Sequence, residues 1–134
     1  MSTLSNPYLH FAGRAREAMT AYQGIFGGEL QVMTYGDMGM EGEAAPAVMH
    51  AFLGGPVTLM ASDHVETVHD SPKPATGHVA LSGDEDAVLR GWFDALAAGG
   101  TVNVPLDRQP WGDVFGEVED AFGVTWLVNI SDPA

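Results

Sequence analysis

The sequence predicts an α+β fold in which a unit of one strand, one helix and three strands occurs twice. Hydrophobic periodicity switches between two and 3.6 residues in the same order in each half. Each half also has a helix that ends at a glycine pair, and "VTLM" at 57–60 resembles "VTWL" at 124–127. We therefore expect one domain over 1–134, built from βαβββ modules at 1–65 and 76–132. Their curved mixed sheets are predicted to form an open, barrel-like cavity, with the helices outside.

The first module begins with a predicted strand at 6–11. A helix follows from Arg14 to Phe26, with an apolar stripe along one side and a stop at Gly27 and Gly28. Its remaining strands are predicted at 29–36, 47–53 and 57–62. A glycine-rich loop joins the first two of these strands, and a tight turn at "GGP" joins the last two.

The second module follows a polar linker, "ETVHDSPKPAT", which contains two prolines. A strand at 78–82 leads to a helix that opens with Asp84, Glu85 and Asp86, whose carboxylates suit the positive end of a helix dipole. The buried stripe of this helix is predicted to be Leu89, Trp92, Phe93 and Leu96. The last strands are predicted at 101–106, 113–119 and 124–130.

Composition limits the function classes. The chain has 134 residues, with 5 basic and 18 acidic side chains and a formal charge of −13. Such a charge repels phosphate backbones and anionic membrane surfaces, so we expect neither nucleic acid nor membrane as a partner. Zero cysteines exclude a disulfide framework and a thiolate metal site. No apolar run reaches the length of a membrane span, and we expect a cytoplasmic protein.

Alternation along each strand predicts which side chains face the cavity. In the last strand Trp126 should face the helix, which leaves Leu127 and Asn129 on the cavity side. The match of "VTLM" with "VTWL", carried back by one strand, makes His50 the equivalent of Glu117 in the repeat. The same alternation extends the cavity face to the other strands. The resulting candidate ligand-binding residues are Tyr8, His10, His50, Met60, His78, Phe115, Glu117, Leu127 and Asn129.

Aromatic residues could give the cavity a wall for a flat or apolar ligand. Trp92 and Trp126 are instead expected in the core between helix and sheet. Met38 and Met40 of the glycine-rich loop could also contact a ligand. The wall candidates are Tyr8, Tyr35, Trp111 and Phe115.

Acid–base catalysis would need paired titratable groups on the cavity face. Glu117 with His50 or His78 could supply them. Asp63, just past the fourth strand, is expected to cap a turn and to have no catalytic role. The opening strands "NPYLHFAG" and "GHVALSG" resemble each other and carry His10 and His78.

The chain resembles the vicinal oxygen chelate superfamily, and within it the PhnB-like branch related to glyoxalase and bleomycin-resistance proteins. The resemblance lies in "NPYLHFAG", "AYQGIFGGEL", "MHAFLGGPVTLMASD", "GWFDALAAGG" and above all "WGDVFGEVEDAFGVTWLVNI". It implies paired βαβββ modules around an open barrel and a homodimer, in which modules could be exchanged between chains through the linker. It also implies a small-molecule ligand.

Metal-dependent members of that superfamily take one ligand from the first strand and one from the fourth strand of each module. The resemblance puts His78 at the first-strand position of the second module. The first module offers Tyr8 or the adjacent Pro7, and the fourth-strand positions fall on Met60 and Leu127, which do not bind hard divalent ions. The standard metal site is therefore expected to be absent, and no cofactor is expected.

Two hypotheses of different class follow. One is a metal-free protein of the bleomycin-resistance kind that binds a small organic molecule. The other is a lyase, isomerase or dioxygenase that uses a Glu117–histidine pair or a divergent divalent-metal site. Imidazole and carboxylate groups suit zinc, iron or nickel, although histidines in polar cavities more often form hydrogen bonds. The residues available to such a divergent site are His10, His50, His78 and Glu117.

Overall fold

The computed structural model of the protein describes residues 6–65 and 77–131. The chain divides into two compact units, Met1–Thr76 and Gly77–Ala134. Each unit contains one strand, one helix and three further strands, which confirms the predicted α+β class and the repeated βαβββ modules. The predicted linker, with His69, lies outside the described residues.

The element boundaries agree with the predicted ones to within two residues. The first unit also has a short 3₁₀ turn at Gly36–Met38, inside the predicted loop. Its main elements are β1 (Tyr8–Phe11), α1 (Ala15–Phe26), β2 (Glu29–Thr34), β3 (Val48–Gly54) and β4 (Leu59–Asp63). Those of the second unit are β5 (Val79–Gly83), α2 (Asp86–Ala97), β6 (Thr101–Arg108), β7 (Val114–Glu119) and β8 (Thr125–Ile130).

Each unit forms a four-stranded mixed sheet. The strand orders are β1-β4-β3-β2 and β5-β8-β7-β6. The first strand of each unit pairs in parallel with the last, and the other neighbouring strands are antiparallel. Within the described residues, neither helix is long and apolar enough to span a bilayer.

One helix covers one face of each sheet. The helix α1 packs on β2, β3 and β4, and α2 packs on all four strands of the second sheet. The strand side chains on the helix side are buried apolar residues, as alternation predicts. Trp126 is fully buried there, but Trp92 is only half-buried, so the prediction that both tryptophans lie in the core was wrong for Trp92. The buried strand residues include Leu9, Phe11, Ala51, Leu53, Leu59, Ala61, Val79, Leu81, Val118, Trp126 and Val128.

A buried carboxylate ties three segments of the first unit together. Asp63 is 2% exposed and ends β4. Its Oδ1 accepts hydrogen bonds from the backbone N–H groups of Gly13 and Ala15, and its Oδ2 accepts one from Val48, all at 2.9 Å. The turn after β1, the start of α1 and the start of β3 are therefore held by one side chain, in the structural role predicted for it.

The second unit has its own buried carboxylate, which sequence reasoning missed. Asp120 Oδ1 accepts hydrogen bonds from the backbone N–H groups of Phe122 and Val124, and its Oδ2 accepts one from Trp126 Nε1 at 2.8 Å. The side chain thus closes the β7–β8 turn and fixes the core indole. The signal was available in "EDAFG", where an aspartate is followed by a glycine three residues later, as in many turns.

Replacing Asp63 by asparagine should destabilise the protein by about 3 kcal/mol, because one oxygen cannot replace two acceptors for three buried N–H groups. Urea unfolding followed by circular dichroism measures this. The control Asp94→Asn, on the exposed side of α2, should change the free energy of unfolding by less than about 0.5 kcal/mol. Equal stabilities of the two variants would contradict the role assigned to Asp63.

Candidate functional site

The face of the first sheet that points away from α1 carries both strand histidines of this unit. Strand pairing sets Tyr8 beside Met60, and Met60 beside Phe52. It also sets His10 beside Ser62 and Met33 beside His50. We call this surface the imidazole face. Its members are Tyr8, His10, Gln31, Met33, His50, Phe52, Met60 and Ser62.

Tyr8 connects the two histidines of this face. Its Oη lies 3.2 Å from His50 Nδ1, within hydrogen-bond distance. The Tyr8 ring lies 5.1 Å from the His10 ring and 5.8 Å from the His50 ring, measured between centroids, with interplanar angles of 38° and 35°. Tyr8 is 40% exposed, and both histidines are half-buried. The three side chains form a polar aromatic cluster that a ligand could contact.

A cleft of about 240 Å³ opens beside this cluster. Met33 is 41% exposed at its edge and gives the cleft accessible apolar surface. Gln31 and Phe52 were not among the predicted site residues, although alternation along β2 and β3 places both on the face of His50 and Met33. The cleft is lined by Gln31, Val32, Met33, His50 and Phe52.

The corresponding face of the second sheet is chemically different, and we call it the carboxylate face. Glu117 is half-buried at its centre and accepts a hydrogen bond from Asn103 Nδ2 at 3.1 Å. Asn129 Nδ2 donates to Asp113 Oδ2 at 3.0 Å. Its members, set by strand pairing, are Ala80, Ser82, Phe115, Glu117, Leu127 and Asn129.

Trp111 stands next to this second face. It is 64% exposed, and its ring meets the Phe115 ring edge-on at a centroid distance of 6.5 Å. Trp111 lies within a turn of residues 109–112, which is closed by a hydrogen bond from Gly112 N–H to Gln109 C=O. The pair gives the carboxylate face an accessible aromatic edge.

Tyr35 does not belong to either exposed face. It is 7% exposed, and its Oη donates a 3.4 Å hydrogen bond to the carbonyl oxygen of Asp63. Burial raises the pKa of Tyr35, and the nearby Asp63 and Tyr8 raise it further, so the phenol stays protonated. The chain turns just after β2 and carries this side chain inward, and the place of Tyr35 in an aromatic cavity wall stays a prediction.

The loop between β2 and β3 is held by reciprocal hydrogen bonds. Thr34 N–H donates to Asp37 Oδ2 at 2.9 Å, and Asp37 N–H donates to Thr34 Oγ1 at 3.0 Å. The Thr34 backbone and side-chain hydrogen bonds lower the pKa of the Asp37 carboxyl, which keeps it ionised. Met38 is 61% exposed and Met40 is half-buried, so both remain available at the loop surface.

Strand pairing corrects the equivalence between the halves. Met60 pairs with Phe52, whereas Leu127 pairs with Glu117. The structural counterpart of Glu117 is therefore Phe52 and not His50, because the paired residues at this level are ten positions apart in the β7–β8 hairpin and eight apart in the β3–β4 hairpin. A shift of two residues keeps the strand face, so His50 still lies on the face away from its helix.

The same pairing describes the strand positions that the family resemblance implies for metal ligands. Tyr8 pairs with Met60, and Ala80 pairs with Leu127. His78 lies just before β5, so Ala80 and not His78 is the neighbour of Leu127. Phenol, thioether and aliphatic side chains are a poor donor set for a divalent ion.

No grouping of three His, Asp or Glu side chains among residues 6–65 and 77–131 has the geometry to hold a metal ion. His10, His50, His78 and Glu117, the four residues considered for a divergent site, are among these described residues and form no such group.

Comparison with known proteins gives this fold a family. The family model described as "Glyoxalase/Bleomycin resistance protein/Dioxygenase superfamily" matches residues 6–128. Protein YjdN of Escherichia coli (strain K12) is 31% identical over 137 residues, which cover 93% of this chain and 93% of YjdN.

Solved structures agree with this assignment. Protein PA1353 from Pseudomonas aeruginosa is 36% identical, with a TM-score of 0.83 over 97% of this chain and 98% of that one. A Bacillus cereus protein named "Putative 3-demethylubiquinone-9 3-methyltransferase, PhnB protein" shares the fold at 24% identity, with a TM-score of 0.73 over 96% of this chain and 100% of that one. This chain belongs to the glyoxalase/bleomycin resistance protein/dioxygenase superfamily, which its two βαβββ modules and its sequence match both indicate.

Proposed function

We propose that this PhnB-like protein binds a small organic molecule in a concave cavity, without the divalent ion of its metal-dependent relatives. The observation that supports this most directly is the side-chain chemistry at the paired positions Tyr8–Met60 and Ala80–Leu127. Three of these four side chains are apolar or a weak thioether donor, which favours contact with an organic ligand over coordination of a hard cation.

The exposed sheet faces have the composition of ligand sites. Such sites usually combine apolar and aromatic surface with a few polar groups that fix the orientation of the ligand. The imidazole face offers Phe52 and Met33 beside the Tyr8–His50 pair. The carboxylate face offers Phe115 and neighbouring Trp111 beside Glu117. Affinity would come from the apolar groups, and selectivity from the polar ones.

An acid–base enzyme is the second candidate, and the environment of Glu117 supports it. The carboxylate is half-buried and oriented by Asn103, as a catalytic base requires. The donor that this carboxylate has within the second unit is an amide and not an imidazole, however, and an amide does not supply the acid of a glutamate–histidine pair. We therefore favour the binding protein.

Untagged protein purified without chelator and then exposed to zinc, nickel, manganese or iron(II) should retain far less than one ion per chain after desalting. The reason is that Tyr8, Met60, Ala80 and Leu127 are poor ligands for a divalent ion. Mass spectrometry of the metal content measures this, with a zinc-dependent glyoxalase carried through the same steps as the positive control. A full equivalent of retained metal that is lost in His50→Gln would overturn the proposal.

The double variant Glu117→Gln with His78→Ala distinguishes the two candidates. For a metal-free binding protein, the double variant should have the same metal content as the parent protein. Its ligand affinity should fall only for ligands that contact Glu117. An enzyme that uses this pair should lose turnover of its substrate altogether. Turnover of a glyoxalase- or dioxygenase-type substrate by the parent protein, abolished in the double variant, would favour the enzyme.

We also propose a homodimer on the basis of the family resemblance, which implies that modules can be exchanged between chains. Size-exclusion chromatography with light scattering should give about twice the chain mass of 14.1 kDa. A single species at the chain mass over the whole concentration range would contradict the dimer.

A further inference from the structure

We propose that the imidazole face of the first unit binds the carboxylate group of a small, single-ring aromatic acid. This inference rests on the proposed function, because it specifies which organic ligand this face selects. Three features of the described residues support it: the hydrogen-bond donors of the face, the positions of the carboxylates in this unit, and the size of the neighbouring cleft.

The Tyr8–His50 pair provides a donor in either of its hydrogen-bonding arrangements. If Tyr8 Oη–H donates to His50 Nδ1, the neutral imidazole carries its proton on Nε2, which can donate outside the pair. If His50 Nδ1–H donates to Tyr8 Oη, the phenolic hydrogen is available instead. The Gln31 amide, which also lines the cleft, provides a further donor. A carboxylate can accept several such bonds, and charge makes each of them stronger.

The carboxylates of residues 6–65 are placed away from the centre of this face. Asp63 lies on the helix side and accepts three backbone N–H groups. Glu17 pairs with Arg14 on α1 at 3.2 Å, and Asp37 is bonded to Thr34 beyond the end of β2. The other acidic residues described in this unit are exposed, at the start of β2 and in the loop: Glu29, Glu41 and Glu43.

This arrangement matters because the chain carries a formal charge of −13. An anion would be repelled by most of such a surface, so it needs a local region with donors and without competing acids. With respect to the acidic residues of 6–65, the imidazole face is such a region, whereas the carboxylate face has Glu117 on its middle strand β7. The two repeated sheets therefore offer opposite local chemistry to an acidic ligand.

The cleft beside the donors limits the size of the ligand. Its volume of about 240 Å³ lies below the ~300–1,000 Å³ of common drug-sized pockets. Phe52 and Met33 give it apolar surface of the kind that packs on an aromatic ring. One ring with a short acidic side chain matches both the volume and the donors at His50.

Phenylacetate and phenylacetamide test the inference, because they share a shape and differ in charge. Titrations followed by ¹H–¹⁵N correlation spectra of the intact protein should show phenylacetate binding at least ~10-fold more tightly than the amide. The shifts should concentrate at residues 8–10, 31–33 and 50–52. His50→Gln should weaken phenylacetate binding by ~10-fold and leave amide binding nearly unchanged. The matched control His78→Gln, in the second unit, should change neither.

The outcomes separate this inference from the proposed function. Equal binding of the acid and the amide at the same residues would overturn carboxylate selection and leave organic-ligand binding intact. Shifts confined to the second unit would also overturn it. Stoichiometric metal binding would instead overturn the proposed function. If His50→Gln lowers the melting temperature, Tyr8→Phe provides a second variant that keeps the ring and removes only the hydroxyl, and it should also weaken acid binding.

Discussion

The strict alternation of side chains along a strand, with one helix on one face of each sheet, is the constraint from which the other features follow. Burying Leu9, Phe11 and Leu59 against α1 forces Tyr8, His10 and Met60 to the opposite face. The same rule in the second unit buries Trp126 and places the half-buried Leu127 on the opposite face. The hydrophobic core therefore leaves the residues of the imidazole face and of the carboxylate face free to vary. The two modules differ in the chemistry of these two faces.

Most of the fold could be predicted because it depends on periodicity, which the sequence displays directly. Two examples are local patterns: the end of the helix α1 at Gly27 and the buried stripe of β8. Both were predicted to within two residues. The candidate site was harder to predict from the sequence, because it depends on strand register. The spacing between paired residues differs by two between the β3–β4 and β7–β8 hairpins, so the counterpart of Glu117 is Phe52 and not His50. No local sequence pattern indicates such a difference. The inward turn of Tyr35 follows a bulge between Met33 and Thr34, which is also a property of strand pairing.

The imidazole face and the carboxylate face show how the same βαβββ fold can carry different side-chain chemistry. Asp63 and Asp120 are both buried and fully used by backbone or indole donors, so they stabilise the modules and are not available to a ligand. His50 and Glu117 instead face away from the helices. Tyr8, Met60 and Leu127 also lie outside the core between helix and sheet, so the fold places little constraint on their chemistry. The protein therefore keeps the architecture of its superfamily, and our proposal of a metal-free site concerns only these positions.

The most direct test of this account is a crystal structure of the protein soaked in zinc, with anomalous differences measured on both sides of the zinc absorption edge. We predict no zinc peak beside Tyr8–Met60 or Ala80–Leu127, and none that bridges His10 and His50. An ordered peak at these positions, with two or more protein ligands at coordination distance, would contradict the central claim that this member of the superfamily works without a metal.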